Sequence, residues 1–119
     1  MGRETAEVSY RMEMRRGTIV LAVMCLLEEP KYGYSLADEL AGKGLPVDTN
    51  TLYPLLRRLS SQGILADTWE IGEGKPRKYY VLTEKGKEMR DALIRQWQEL
   101  SDSINKMPGV SEAAPSKPT

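Results

Sequence analysis

Residues 50–63, NTLYPLLRRLSSQG, restrict the possible folds of this chain more than any other stretch. Leu52, Leu55, Leu56 and Leu59 stand at i, i+3, i+4 and i+7. That spacing draws one apolar stripe along a helix. Asn50, Tyr53, Pro54 and Arg57 fall on another face, with Arg58 at its edge. Asn and Arg can read base edges bidentately, and Tyr can hold a phosphate. An ordinary amphipathic helix with a solvated face has the same pattern. Taken alone, the helix favours that plainer reading.

The residues on either side change the balance. Residues 64–71 and 76–83 are rich in β-branched and aromatic side chains, with Gly72, Glu73, Gly74 and Lys75 between them. Two such runs around a Gly-containing turn predict a β-hairpin. Its tip and outgoing arm carry Lys75, Arg77 and Lys78, which alone could be a solvated loop or Lys protecting a sheet edge. Two helices are expected upstream. The first covers residues 10–28; the second opens at Tyr32, Gly33 and Tyr34 and ends at Gly42 and Gly44. Three helices followed by a basic hairpin is the order of a winged helix-turn-helix. In that fold the third helix enters the major groove and the wing lies along the DNA backbone. The fold class expected is therefore mainly α with a small β-hairpin.

Ile19 to Leu27, IVLAVMCLL, is apolar on nearly every face and should form the centre of the core, with Cys25 a small buried hydrophobe within it. Thr83 is a good N-cap for a last helix over residues 84–107. On it Met89, Leu93, Trp97, Leu100 and Ile104 recur at spacings of three and four, and Asp91 and Arg95 form a favourable i,i+4 pair. A helix of ~23 residues spans ~35 Å and overhangs a small core. A second copy of the chain is the simplest cover for its stripe. The organisation expected is a loose arm over residues 1–9, a winged helix-turn-helix over 10–83, a dimerisation helix over 84–107 and a disordered tail over 108–119.

Composition narrows the function. In 119 residues there are 17 Lys and Arg and 17 Asp and Glu, so a globally basic nucleic-acid binder is excluded and only local patches remain. With no His and a single Cys, a His-based triad, a His metal site, a Cys-cluster zinc site and an internal disulfide are all excluded. No Gly-rich phosphate loop or acid–base carboxylate pair is present, so neither an enzyme nor a cofactor is expected. The longest apolar run falls far short of the ~20 residues that span a bilayer. The polar start has no signal-peptide core, and a cytoplasmic protein is expected.

TLYPLLRRLSSQGIL followed by KPRKYYVLTEKG resembles the PadR family of bacterial transcriptional regulators, and YGYSLADEL in the second helix fits the same family. The resemblance covers about residues 14–107. Its paired segments, 51–59 and 77–86, are specific at this separation. It implies a winged-helix homodimer that binds double-stranded operator DNA and usually represses, in the short form with one C-terminal dimerisation helix. The candidate DNA contacts are then Asn50, Thr51, Tyr53 and Arg57 on the third helix and Lys75, Arg77 and Lys78 on the wing, with Arg15 or Arg16 as helpers. Arg58 could join them or pair with an acidic neighbour. The candidate dimer contacts are Met89, Leu93, Trp97, Leu100 and Ile104. Some short members sense planar, cationic drugs between Trp residues paired across the dimer axis, and Trp97 stands at the matching position. Filling the dimer seam is the other role open to Trp97. A winged-helix protein-interaction module and a ligand-independent repressor are the alternative functions.

Overall fold

The computed structural model describes residues 3–110, with side chains from residue 5 onward. Helix α1 spans Arg3–Leu26. It starts well before Tyr10, so the expected loose arm is helical from residue 3. Residues 3–16 hold neither Gly nor Pro, and Ala6, Glu7, Met12 and Glu13 are helix formers. Glu7 and Arg11 form an i,i+4 pair at 3.4 Å. Further along α1, Ile19, Val23, Met24 and Leu27 enter the core. Cys25 is exposed, contrary to expectation. It lies two residues from Val23, roughly 200° around the helix, and so faces away from the inward stripe. Partial desolvation raises its thiol above the ordinary value; Arg90 opposes this and Asp91 adds to it.

After Pro30 the chain forms β1, Lys31–Tyr32, a strand that the sequence pattern does not foretell. Helix α2, Gly33–Gly42, buries Leu36 and Leu40 completely. Helix α3, Thr49–Ser61, is capped by Asp48, whose carboxylate accepts from the Asn50 N–H at 2.7 Å. Leu52, Leu55, Leu56 and Leu59 are all buried, as their spacing predicts. Gly63 closes α3 at φ +77. There the Ile64 N–H reaches the Leu59 carbonyl at 2.9 Å and the Gly63 N–H reaches that of Ser60 at 3.1 Å. These are the two bonds of a Schellman end, which needs a left-handed residue.

The hairpin consists of β2, Leu65–Glu70, and β3, Arg77–Leu82, paired antiparallel with Leu65 opposite Leu82 and Trp69 opposite Lys78. β1 adds to the free side of β3, giving the order β1-β3-β2. Tyr80 and Leu82 turn inward onto the helices. Helix α4, Glu84–Asn105, follows directly and is capped by Thr83 as expected, its hydroxyl accepting from the Gly86 N–H at 3.0 Å. The same hydroxyl donates to the Gly63 carbonyl at 2.6 Å, and Lys85 Nζ donates to the Gln62 carbonyl at 2.8 Å. The foot of α4 is thus bonded to the exit of α3.

Arg90 joins α4 to α1 through Glu28. It also donates to Asp91 at 3.1 Å, and no Asp91–Arg95 pair occurs among the described residues. The fold is a winged helix-turn-helix with a long C-terminal helix, mainly helical with a small antiparallel sheet. Residues 1–2 of the expected arm and 111–119 of the expected tail lie outside the described part. Among the described residues no helix is long and apolar enough to cross a membrane.

Candidate nucleic-acid interface

Helix α3 buries its Leu stripe and turns the opposite side outward. Asn50, Thr51, Pro54, Arg57 and Arg58 are exposed. At ~100° per residue, Asn50, Pro54 and Arg57 lie within about 60° of one another, opposite the stripe. Tyr53 is half-buried at the edge of this face. A Cβ on Gly33 would stand 2.5 Å from Tyr53 Cε1, so the ring lies directly on the start of α2. Only a residue without a side chain at position 33 leaves that space, which couples α2 to α3 at the intended reading surface.

The wing cations differ in what holds them. Lys75 lies in the exposed turn between β2 and β3. Arg77 Nη1 donates to the Tyr34 hydroxyl at 3.4 Å, and its guanidinium stands 5.6 Å from the Tyr32 ring. Lys78 is 3.9 Å from Asp67 and lies 5.6 Å from the Trp69 ring and 5.7 Å from that of Tyr80. Tyr34, Tyr53, Trp69, Arg77 and Lys78 line one cleft of about 260 Å³ between α2, α3 and the wing. Three predicted contacts, Tyr53, Arg77 and Lys78, therefore meet there. Tyr34 and Trp69 belong to the same cleft and escape the sequence reading. Neither stands beside its cation in the sequence, where Tyr34 lies in KYGYS and Trp69 in DTWEI, so no local pattern announces them.

On the back of the sheet, the Tyr32 hydroxyl donates to Glu70 Oε2 at 2.7 Å, joining the two outer strands across β3. That bond, made by the neutral phenol to a carboxylate, raises the Tyr32 pKa above 10.0; desolvation adds to the rise and Arg77 opposes it. Burial raises that of Tyr80, with Asp67 adding and Arg57 opposing.

Neutral total charge conceals a segregation. The ion pairs among the described residues are Glu7–Arg11, Lys31–Glu39, Asp67–Lys78, Glu84–Lys87 and Arg90 with Glu28 and Asp91. Arg15, Arg16, Arg57, Arg58, Lys75 and Arg77 have no carboxylate partner among these and are gathered on α3, on the neighbouring part of α1 and on the wing. Lys43, Lys85, Arg95 and Lys106 also lack one and lie apart, after α2 and along α4. Helix α3 itself contains two Arg and no acidic residue. Such a surface attracts a polyanion although the whole chain does not.

A sequence profile of the transcriptional regulator PadR-like family matches residues 20–92. The chain belongs to this family. A PadR family regulator from Eggerthella lenta has a crystal structure that superposes with a TM-score of 0.83 at 47% identity, over 87% of this chain and 92% of that one. A PadR-like regulator from Bacillus cereus superposes at 0.71 with 29% identity, over 78% and 93% of the two chains. A transcriptional regulator of Mycobacterium tuberculosis is 32% identical over 61% of this chain and 68% of its own length. Like its PadR relatives, the chain is a DNA-binding transcriptional regulator. The family match includes α2, α3, the wing and the first half of α4; of the six cations it covers Arg57, Arg58, Lys75 and Arg77.

A second surface lies on α4. Met89 is 40% exposed, Trp97 52%, Leu100 55% and Ile104 56%. Leu93 differs from them: it packs against the core of its own chain. Between α1 and α4 a cleft of about 280 Å³ is lined by Met14, Gly17, Thr18, Leu21, Leu93 and Trp97, with Gln96 and Leu100 at its edge. Among the described residues no group of His, Cys, Asp and Glu is arranged to hold a metal ion.

Proposed function

We propose that this PadR-family regulator is a homodimeric repressor that reads a two-fold symmetric operator and is released by a flat aromatic or cationic small molecule. The observation that carries the DNA docking is the set of cations without carboxylate partners on α3 and the wing. Arg57 and Asn50 face the base edges in the major groove, with Thr51 and Tyr53 at the sides of the helix. Lys75 and Arg77 meet phosphates. Lys78 is shared with Asp67 and contributes less.

Dimerisation is supported by the exposed apolar stripe of α4. A monomer that left Trp97, Leu100 and Ile104 in water would forgo about 1.5–3 kcal/mol for each large side chain it could bury. A dimer related by a two-fold axis places two α3 helices about one DNA turn apart, ~34–36 Å. Bound across a promoter, it would exclude polymerase. Release by a ligand is supported by the half-exposed indole of Trp97 in the α1–α4 cleft. An aromatic cation there would gain stacking and cation–π attraction.

Fluorescence anisotropy with duplexes selected from a random pool tests the dimeric DNA reading. The expected result is a palindromic selected site, bound by one dimer and lost as salt rises. Selection of an asymmetric single half-site, or no selection at all, would refute it.

A further inference from the structure

On the side of α3 away from the wing, α1 and α3 enclose a cleft of about 390 Å³. Its apolar lining is Ile19, Val20, Pro54 and Leu55, and Arg16 and Arg58 stand at it with Thr51. Arg58 follows Arg57 by one residue and is therefore turned about 100° around the helix. Two adjacent guanidiniums thus serve different surfaces: Arg57 looks outward with Asn50, and Arg58 looks toward α1. Both Arg16 and Arg58 are exposed, and neither has a carboxylate within 4.0 Å among the described residues. The neighbouring cleft adds Arg15 and also Asp48, whose Oδ1 already accepts the Asn50 N–H.

Two like charges at one cleft repel in the free protein, and an anion between them removes that cost. The apolar lining lets the stems lie flat while the guanidiniums reach outward. A helix seated in the major groove, ~12 Å wide, runs between two sugar-phosphate backbones. The wing, on the other side of α3, can reach only one of them. We propose that Arg16 and Arg58 form a phosphate clamp on the backbone opposite the wing, so that each protomer straddles the groove. This rests on the α3 docking proposed above and extends it to the α1 flank. Guanidinium is suited to the task because it meets a phosphate through two parallel N–H bonds.

The test uses the full chain and a duplex selected by the wild type from a random pool. Arg16→Gln and Arg58→Gln should each lower the magnitude of the slope of log K against log salt by about 1. They should weaken the selected and a scrambled duplex by the same factor. Arg16→Lys and Arg58→Lys keep the charge and should keep the slope. Single methylphosphonate substitutions should then mark one or two phosphates whose neutralisation weakens the wild type but not the Arg16→Gln, Arg58→Gln double variant. Unchanged slopes in both Gln variants, with Arg57→Ala still relaxing base choice, would overturn the clamp and leave the α3 docking standing. If Arg57→Ala were silent as well, the docking itself would fall and the clamp with it.

Discussion

Gly86, in the first turn of α4, lies so close to the backbone carbonyl of Ile64 that a Cβ would overlap its oxygen, with the Leu82 side chain also in the way. Backbone cannot rotate aside as a side chain can, so α4 is seated directly on the exit of α3. The Thr83 and Lys85 bonds to Gly63 and Gln62 reinforce the seat. A change in the tilt of α4 must therefore move the end of α3. Gly86→Ala should cost about 1–3 kcal/mol through overpacking. Urea denaturation should register the loss. Operator affinity should also fall at temperatures where the variant is still folded, and a variant of wild-type stability would contradict the seat.

Leu93 and Leu100 stand on the same sequence stripe and should behave differently. Leu93 packs into its own chain's core, whereas Leu100 is 55% exposed until something covers it. Leu93→Ala should lower the unfolding free energy at all protein concentrations, by an amount approaching the ~2–5 kcal/mol of buried Leu→Ala changes. Leu100→Ala should leave protomer folding nearly intact and raise the dimer dissociation constant. Sedimentation equilibrium across a dilution series separates the two effects. A wild type that sediments as a monomer at micromolar concentration would end the dimer reading.

Arg57 and Lys75 should fail in different ways. Arg57 lies on the outward face of α3, so Arg57→Ala should cost about 1–3 kcal/mol and relax base choice at one operator position. Lys75 lies in the wing turn and should meet only phosphate. Lys75→Ala should weaken all sequences alike and reduce the salt slope by about 1. Lys78→Ala should have a smaller slope effect, because Asp67 already neutralises part of that charge. Anisotropy titrations at several salt concentrations would reveal whether any of the three departs from its pattern.

These residues also mark how far the sequence could be read. The Leu52–Leu59 stripe, the Asp48 and Thr83 caps and the hairpin are local patterns, and periodicity and turn chemistry carry them. β1 is two residues long and exists only because Tyr32 finds Tyr79 on β3, a pairing of distant segments that no local period announces. Arg90 meets Glu28 across 62 residues, which displaces the local pair expected of Asp91. Cys25 belongs to a run apolar on all sides, where period cannot choose the inward face. Only packing against the rest of the core decides it. The outward face of α3 is legible as residue types, but the turn of Arg58 toward the α1–α3 cleft depends on where α1 lies.

Tyr32 supplies a pH signature for the wing. Its phenol donates to Glu70, and this bond holds its pKa above the ordinary 10.0 in the folded protein. A raised folded pKa means that the contribution is fully present below about pH 10 and is lost as pH rises through the folded value. The back of the sheet should therefore loosen in alkali before general unfolding. Ultraviolet titration of tyrosinate should include two residues that ionise late, Tyr32 and Tyr80, and Tyr32→Phe should remove one of them. If the component lost in Tyr32→Phe ionised at the ordinary tyrosine value, the bond would not persist in solution.

Trp97 distinguishes a plain repressor from one that senses ligands. Its indole is 52% exposed in the single chain and stands at the α1–α4 cleft with Leu93, Met14 and Leu21. In the proposed dimer its symmetry mate lies nearby across the two-fold axis. If the seam is open there, a flat aromatic cation enters between the rings and quenches Trp emission. Trp69 is also exposed, beside Lys78, and would contribute a second signal, so the titration needs a Trp69→Tyr background. In that background the expected result is saturable quenching by a planar cation, together with release of labelled operator at the same ligand concentration. Trp97→Ala should abolish both while sedimenting as a dimer. If the rings instead seal the seam, Trp97→Ala should destabilise the dimer by up to ~3–5 kcal/mol through the cavity it leaves. Loss of stability without quenching by any planar cation would remove the sensing role and leave the DNA-binding regulator intact.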